Sequence, residues 1–297
     1  MNLIENVSVI EPDITEFISI ARNNAEGVDV CPITLPTGGW VIIREQNGDD
    51  DGIISNVHLQ KDASSINLFV AAVVAYSPAA ADKNGILTLE EVLVMPIRDK
   101  YVIMIKSRIF SMGNMLQFSY TWDDSEGVPD YYEEDLTKFV WDYSTPFPFE
   151  PKAKGYDPER VAAYKVKPSK DGWIYADTKG KVTLLFSQLS TDPGVKRLRF
   201  KLLDGIAERK LLALGEAGMN INTKLLMREL EQFLQDSWHK VESFKAFKSH
   251  EMASLRKIVS DYDQEFDGNT EVTNPRTNNT SIIPLMQIPT FFFPQGI

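Results

Sequence analysis

The sequence predicts a mixed α+β protein in two halves, residues 1–145 and 173–297, around a proline-rich linker or insertion at 146–172. Three observations predict it. Of 297 residues, 43% are hydrophobic and 25% charged, the balance of a globular chain long enough to bury a sizeable core. Apolar residues recur at period two in some segments and at helical spacing in others. Pro146, Pro148, Pro151 and Pro158 interrupt both patterns mid-chain.

In chain order, Pro12 and Asp13 open a first helix that Gly27 ends. LPTGGW at 35–40 is a turn entering a strand at 41–43, and residues 48–52 (GDDDG) are a polar turn. Residues 66–76, INLFVAAVVAY, are the most apolar stretch, capped by Asp62 or Ser64 and stopped by Pro78. At about half the length of a membrane crossing, this stretch is expected to be a buried helix. A loop follows at 77–85, and Thr88-x-x-Glu91 is a capping box. Residues 98–112 form a helix with Tyr101, Val102, Ile105 and Ile109 on one face, and Gly113 stops it. Leu116, Phe118, Tyr120 and Trp122 alternate strictly, which predicts a half-buried strand. After a turn at 122–127, Asp130 and Glu133 cap a helix running to Trp141.

Beyond the prolines, strands are expected at 163–166, 173–176, 182–186 and 195–203, with Lys179-Gly180 as a hairpin turn. The last third reads as helical at 206–214, 223–238 and 244–262. Leu226, Leu230, Phe233 and Leu234 share one face of the second of these. The C-terminal half is therefore expected to set a small sheet beside two long helices and end in an apolar tail at 283–294.

A formal net charge of −11 argues against a general nucleic-acid binder, which needs a basic stripe to displace counterions. It also argues against docking on anionic lipid. The first eleven residues contain Glu5 and lack a basic segment followed by an apolar run, so no signal peptide is expected. One cysteine, Cys31, excludes an intramolecular disulfide framework and a cysteine zinc cluster. With three histidines, a soluble, acidic, cytosolic protein without a cofactor is expected.

No nucleophile elbow, H-E-x-x-H pair, Walker A loop or G-x-G-x-x-G occurs. Residues 263–271 match the first half of a calcium loop, but position twelve is Asn274, where the bidentate glutamate belongs. This segment is read as a polar turn ending a helix. Basic residues cluster only in KRLRFK at 196–201, with Arg197, Arg199 and Lys201 opposite Leu198 and Phe200. The run is either the wet face of an edge strand or a contact for an acidic partner.

Several segments together resemble the baseplate hub and hub-assembly proteins of T-even-type contractile-tailed phages. They are LPTGGW at 35–40, RDKYVIMIKSRIFSMGNMLQFSYTW at 98–122, RLRFKLLDGIAERKLL at 197–212, EMASLRKIVSDYDQEFDGNTEV at 251–272 and IPTFFFP at 288–294. Their order and spacing cover about two-thirds of the chain, and residues 144–173 have no counterpart. Members of that family carry Cys-x-x-Cys in two turn regions, as in a zinc ribbon. The equivalent turns here, 122–126 and 274–278, have no cysteine, so the resemblance implies degenerate hairpins kept without metal.

The resemblance implies a structural or assembly role in the tail baseplate of a virion, assembled in the host cytoplasm, with other baseplate or tail proteins as partners. A transient tail-assembly chaperone is the alternative within that class. An enzyme, such as a tail-associated glycan hydrolase, is the rival; it needs two carboxylates at defined separation, and no pair is singled out. The expected interaction residues are Phe291, Phe292 and Phe293 as apolar anchors, then Arg197 and Arg199. The phenylalanines sit in a proline-interrupted tail that either crosses a neighbour or packs on its own core.

Overall fold

The computed structural model describes residues 14–37, 39–56, 64–140, 173–183, 185–263, 268–285 and 288–292. The expected linker at 146–172, the strand at 163–166, Asp62 and Phe293 lie outside them. The described residues form a mixed α+β architecture of four antiparallel sheets and interspersed helices.

The first layer is a three-stranded sheet in the order β1 (Val30–Thr34), β2 (Trp40–Arg44), β3 (Val74–Tyr76). Helix α1 (Ile14–Asn24) lies on one face of it. There Phe17, Trp40 and Tyr76 form a ring cluster with centroids 5.2–5.7 Å apart. The opposite face carries the main core, closed by α2 (Gly48–Ile54), α3 (Ser64–Val73) and α5 (Ile97–Met112), with the short α4 (Leu89–Leu93) at one end.

Two expectations fail here for local reasons. GDDDG is helix α2, because the Asn47 side chain accepts from Asp49 N and Asp50 accepts from Asn47 N. Anions in a first helical turn favour the helix dipole. Asp50 also forms a fork with Arg44 at 2.7–2.8 Å. The apolar run 66–76 is half helix and half strand: after Val73 the chain extends, and Val74–Tyr76 pair with β2. Residues with β propensity switch state where a sheet edge accepts them.

The helix expected at 130–141 is also a strand. β5 (Pro129–Asp135) pairs along its length with β4 (Met115–Thr121), and only Leu136–Phe139 turns helically. Continuous pairing with β4 outweighs the capping signal of Asp130 and Glu133.

The second unit is a five-stranded antiparallel sheet in the order β10-β9-β8-β6-β7. Its strands are β6 (Ile174–Asp177), β7 (Val182–Thr183), β8 (Arg197–Phe200), β9 (Glu231–Leu234) and β10 (Ser237–Lys240). β8 is the central strand, a correction to the edge position allowed above. The expected helix 223–238 is α7 (Ile221–Met227) followed by the β9–β10 hairpin. Glu229 breaks the helix at φ 55°, and Gln235 and Asp236 turn the hairpin at φ 47° and 59°. Two left-handed residues twist such a turn to match its strands. One long helix, α8 (Ser249–Asp263), covers the inner face, so the half has one long helix where two were expected.

The chain then returns to the first unit. β11 (Asn269–Thr273) pairs with β12 (Thr280–Pro284), and Val272, Leu285, Ile288, Phe291 and Phe292 join the main core. The expected C-terminal half at 173–297 is therefore divided in its packing. Between the units, Pro96 bridges Asp204 and Ile97 N donates to Leu203 O at 2.9 Å. Helix α6 (Gly205–Ala213) starts against Lys100, where a Cβ on Gly205 would stand 2.3 Å from the ammonium nitrogen. A side chain there would displace the buried ammonium and press on Asn67 and the Leu93 carbonyl.

Candidate functional site

Strand alternation gives the five-stranded sheet two unlike faces. Ile174, Ala176, Leu198 and Phe200 point into the core under α8. The residues between them point outward, and on this face the sequence supplies aromatics and cations. Tyr175 is opposite Arg199, and Phe233 is opposite Trp238. The Leu185–Leu189 turn adds Phe186, whose ring centroid is 4.5 Å from Phe233 and 5.2 Å from Trp238. All four rings are half-buried.

Each outward arginine of β8 is in contact with two rings. The Arg197 guanidinium is 5.0 Å from the Phe186 centroid and 4.5 Å from that of Phe233. Arg199 is 4.2 Å from Trp173 and 4.6 Å from Trp238. Guanidinium planes stack favourably on aromatic faces, and such contacts strengthen as water is excluded. The cations differ in charge balance. Arg199 Nε donates to Glu231 Oε2 at 2.6 Å, and Lys201 pairs with Glu229 at 2.7 Å. Among the described residues no carboxylate lies within ion-pair distance of Arg197; Asp177, opposite it, accepts from the Lys179, Lys181 and Ser190 amides.

The phenylalanines are placed otherwise than expected. Phe291 has no exposed surface and Phe292 is buried, in edge contact with Phe69 and with Phe291. The expectation of surface anchors is corrected for both: with Pro289 turning the chain and Leu285 and Ile288 beside them, the rings fill the main core. Sequence reasoning found Arg197 and Arg199 but missed Trp173, Tyr175, Phe186 and Trp238. It placed Phe233 on a helix face. The alternation of Ser237, Trp238 and His239 was the available signal for the strand.

The turns at 122–126 and 274–278 meet in space. Asn274 Nδ2 donates to Asp124 at 2.9 and 3.2 Å, and Arg276 Nη2 to Asp130 at 2.9 Å. The Asn274 side-chain oxygen accepts from the Arg276 and Thr277 amides of its own turn. Tyr132 accepts from Trp122 Nε1 and donates to Thr273 O, tying the strands behind the turns. Among the described residues no group of three or more His, Cys, Asp and Glu is placed to hold a metal. A polar staple joins the hairpins.

Two further features have chemical potential. A cleft of about 320 Å³ between the β1–β2 turn, the 77–87 loop and α4 is lined mostly by apolar side chains, including Leu35, Val41 and Met95. Its polar floor is Asp99, which accepts from Thr37 N and Oγ1, and burial pushes its carboxyl up. Behind it, buried Lys100 donates to Asn67 Oδ1 at 2.7 Å. Burial lowers its ammonium to about 8, against the pull of Glu208 and Asp204. Lys100 does not line the cleft; its amine joins α5 to α3 through Asn67.

No family model, no curated protein and no solved structure matches this chain.

Proposed function

We propose that this chain is a structural or assembly component of a contractile phage tail baseplate, acting by protein–protein contact and not by catalysis. The observation that carries the contact reading is the outward face of the five-stranded sheet. A cluster of Trp, Tyr, Phe and Arg on one half-buried surface is the composition of interface centres. An ordinary solvated sheet face would alternate polar residues there. The baseplate reading draws on the ordered sequence segments that resemble the hub and hub-assembly proteins. The apposed hairpin turns fit it as the equivalents of the two turn regions that the resemblance implies.

The partners in this reading are other baseplate or tail proteins. Neither nucleic acid nor a membrane surface suits a chain of net charge −11.

The test is capture of tail proteins by the tagged full chain from cells assembling particles. Trp238→Ala removes the ring that joins Arg199 to the Phe186–Phe233 pair. Truncating a central interface aromatic costs about 2 kcal/mol or more, roughly 30-fold in affinity. The variant is therefore expected to lose the tail proteins while keeping its melting temperature within a few degrees. Equal capture by the wild type and the variant contradicts the reading.

A further inference from the structure

We infer that Arg197, resting against the paired Phe186 and Phe233 rings, is the recognition point for one carboxylate side chain of an acidic, extended segment of the partner protein. This deepens the reading of the aromatic–arginine face and rests on it. The two rings, 4.5 Å apart, form one aromatic wall against which the guanidinium rests, at 4.5 and 5.0 Å from their centroids. A planar fork held in this way needs little further ordering to bind a carboxylate through two parallel N–H donors. The neighbouring cations of the same strand are already matched, Arg199 to Glu231 and Lys201 to Glu229. Arg197 has neither a hydrogen bond nor an ion pair from its side chain among the described residues. Asp177, opposite it, is occupied by backbone amides.

That charge balance selects the partner's chemistry. A polyanion such as nucleic acid draws its affinity from many phosphate contacts, each needing its own cation. Among the described residues this face leaves two, the half-buried Arg197 and the exposed Lys240 of the edge strand, too few for such a track. A single carboxylate flanked by apolar side chains matches one open guanidinium set among half-buried rings, with Leu185 exposed beside them. The remaining surface of the chain, at net −11, repels acidic segments, so such a segment is directed to this face.

The test is a titration of the full chain labelled with ¹⁵N, following the Arg197 Nε–H and Trp238 Nε1–H resonances. The probes are N-acetyl-Leu-Glu-Leu-amide, its Leu-Gln-Leu counterpart and a thymidine dodecanucleotide. The Glu peptide is expected to shift both resonances saturably, the Gln peptide to bind about tenfold more weakly, and the oligonucleotide to bind no better than the Gln peptide. Arg197→Lys, which keeps the charge and loses the fork, is expected to weaken the Glu peptide by a similar factor while Lys201→Gln does not. Equal binding of the Glu and Gln peptides, no shift with either, or tighter binding of the oligonucleotide overturns the inference. Capture of tail proteins separates the two ideas. If Trp238→Ala abolishes capture and Arg197→Lys leaves it intact, the face docks without carboxylate recognition and this inference alone fails. If neither variant changes capture, the docking reading fails as well.

Discussion

Phe291 has no accessible surface and Phe292 is buried against Phe69, so these rings act on stability. Phe291→Ala is expected to cost about 3–5 kcal/mol, because the cavity it leaves adds to the lost transfer energy. Chemical denaturation checks this, with the midpoint falling and the slope unchanged. A stable variant with impaired partner capture would return the rings to an interaction role. Sequence alone could not separate the two outcomes, since a proline-interrupted phenylalanine run has the same pattern whether it crosses a neighbour or its own core. The arginines were more legible: alternation around Leu198 and Phe200 fixed their face. What sequence hid was the company they keep, because the rings come from β6, the Leu185–Leu189 turn, β9 and β10.

At the scale of elements, the β4–β5 and β11–β12 hairpins are joined at their turns by Asn274, Asp124, Arg276 and Asp130. Asn274 is buried and serves its own turn and the opposite one, so Asn274→Ala is expected to cost about 1–3 kcal/mol. In a double-mutant cycle with Asp124→Ala the pair should couple by more than about 0.5 kcal/mol, measured by denaturation. The β9–β10 turn makes a second prediction. Gln235 holds φ 47° without a glycine, so Gln235→Asn should raise stability, by less than about 1 kcal/mol, seen as a higher melting temperature. The same turn explains the misread helix at 223–238. Apolar residues at helical spacing satisfied one pattern, and of the breaking residues Glu229 and Gln235 carry no turn signature, leaving Asp236 as a lone turn former. Where the signal was explicit, as in the Thr88–Glu91 capping box and the Gly113 stop, the structure has the expected boundary.

For the whole molecule, Lys100 lies where α3, α5 and α6 converge, within reach of Asn67, Glu208 and Asp204, with Tyr101 bonded to Glu208. Its folded value of about 8 is below the ordinary lysine value of 10.5, so the unfolded chain binds more protons between them. Stability should therefore rise as pH goes from 8 toward 10, and Lys100→Met should flatten that slope. Burial raises the Tyr101 hydroxyl, which opposes the trend above pH 10 and sets the upper limit of the window. Denaturation midpoints across pH 8–10 measure this directly. The α+β class was legible from periodicity, but the return of β11, β12 and the phenylalanines to the first core was not. Long-range return depends on which core has room, and no local pattern records that.

The most direct measurement for the baseplate reading is quantitative mass spectrometry of purified particles and of their assembly intermediates. A fixed, small number of copies of this chain per particle, or per intermediate alone if it leaves as a chaperone, is the predicted result. Absence from both, with the chain recovered free of tail proteins, would contradict it.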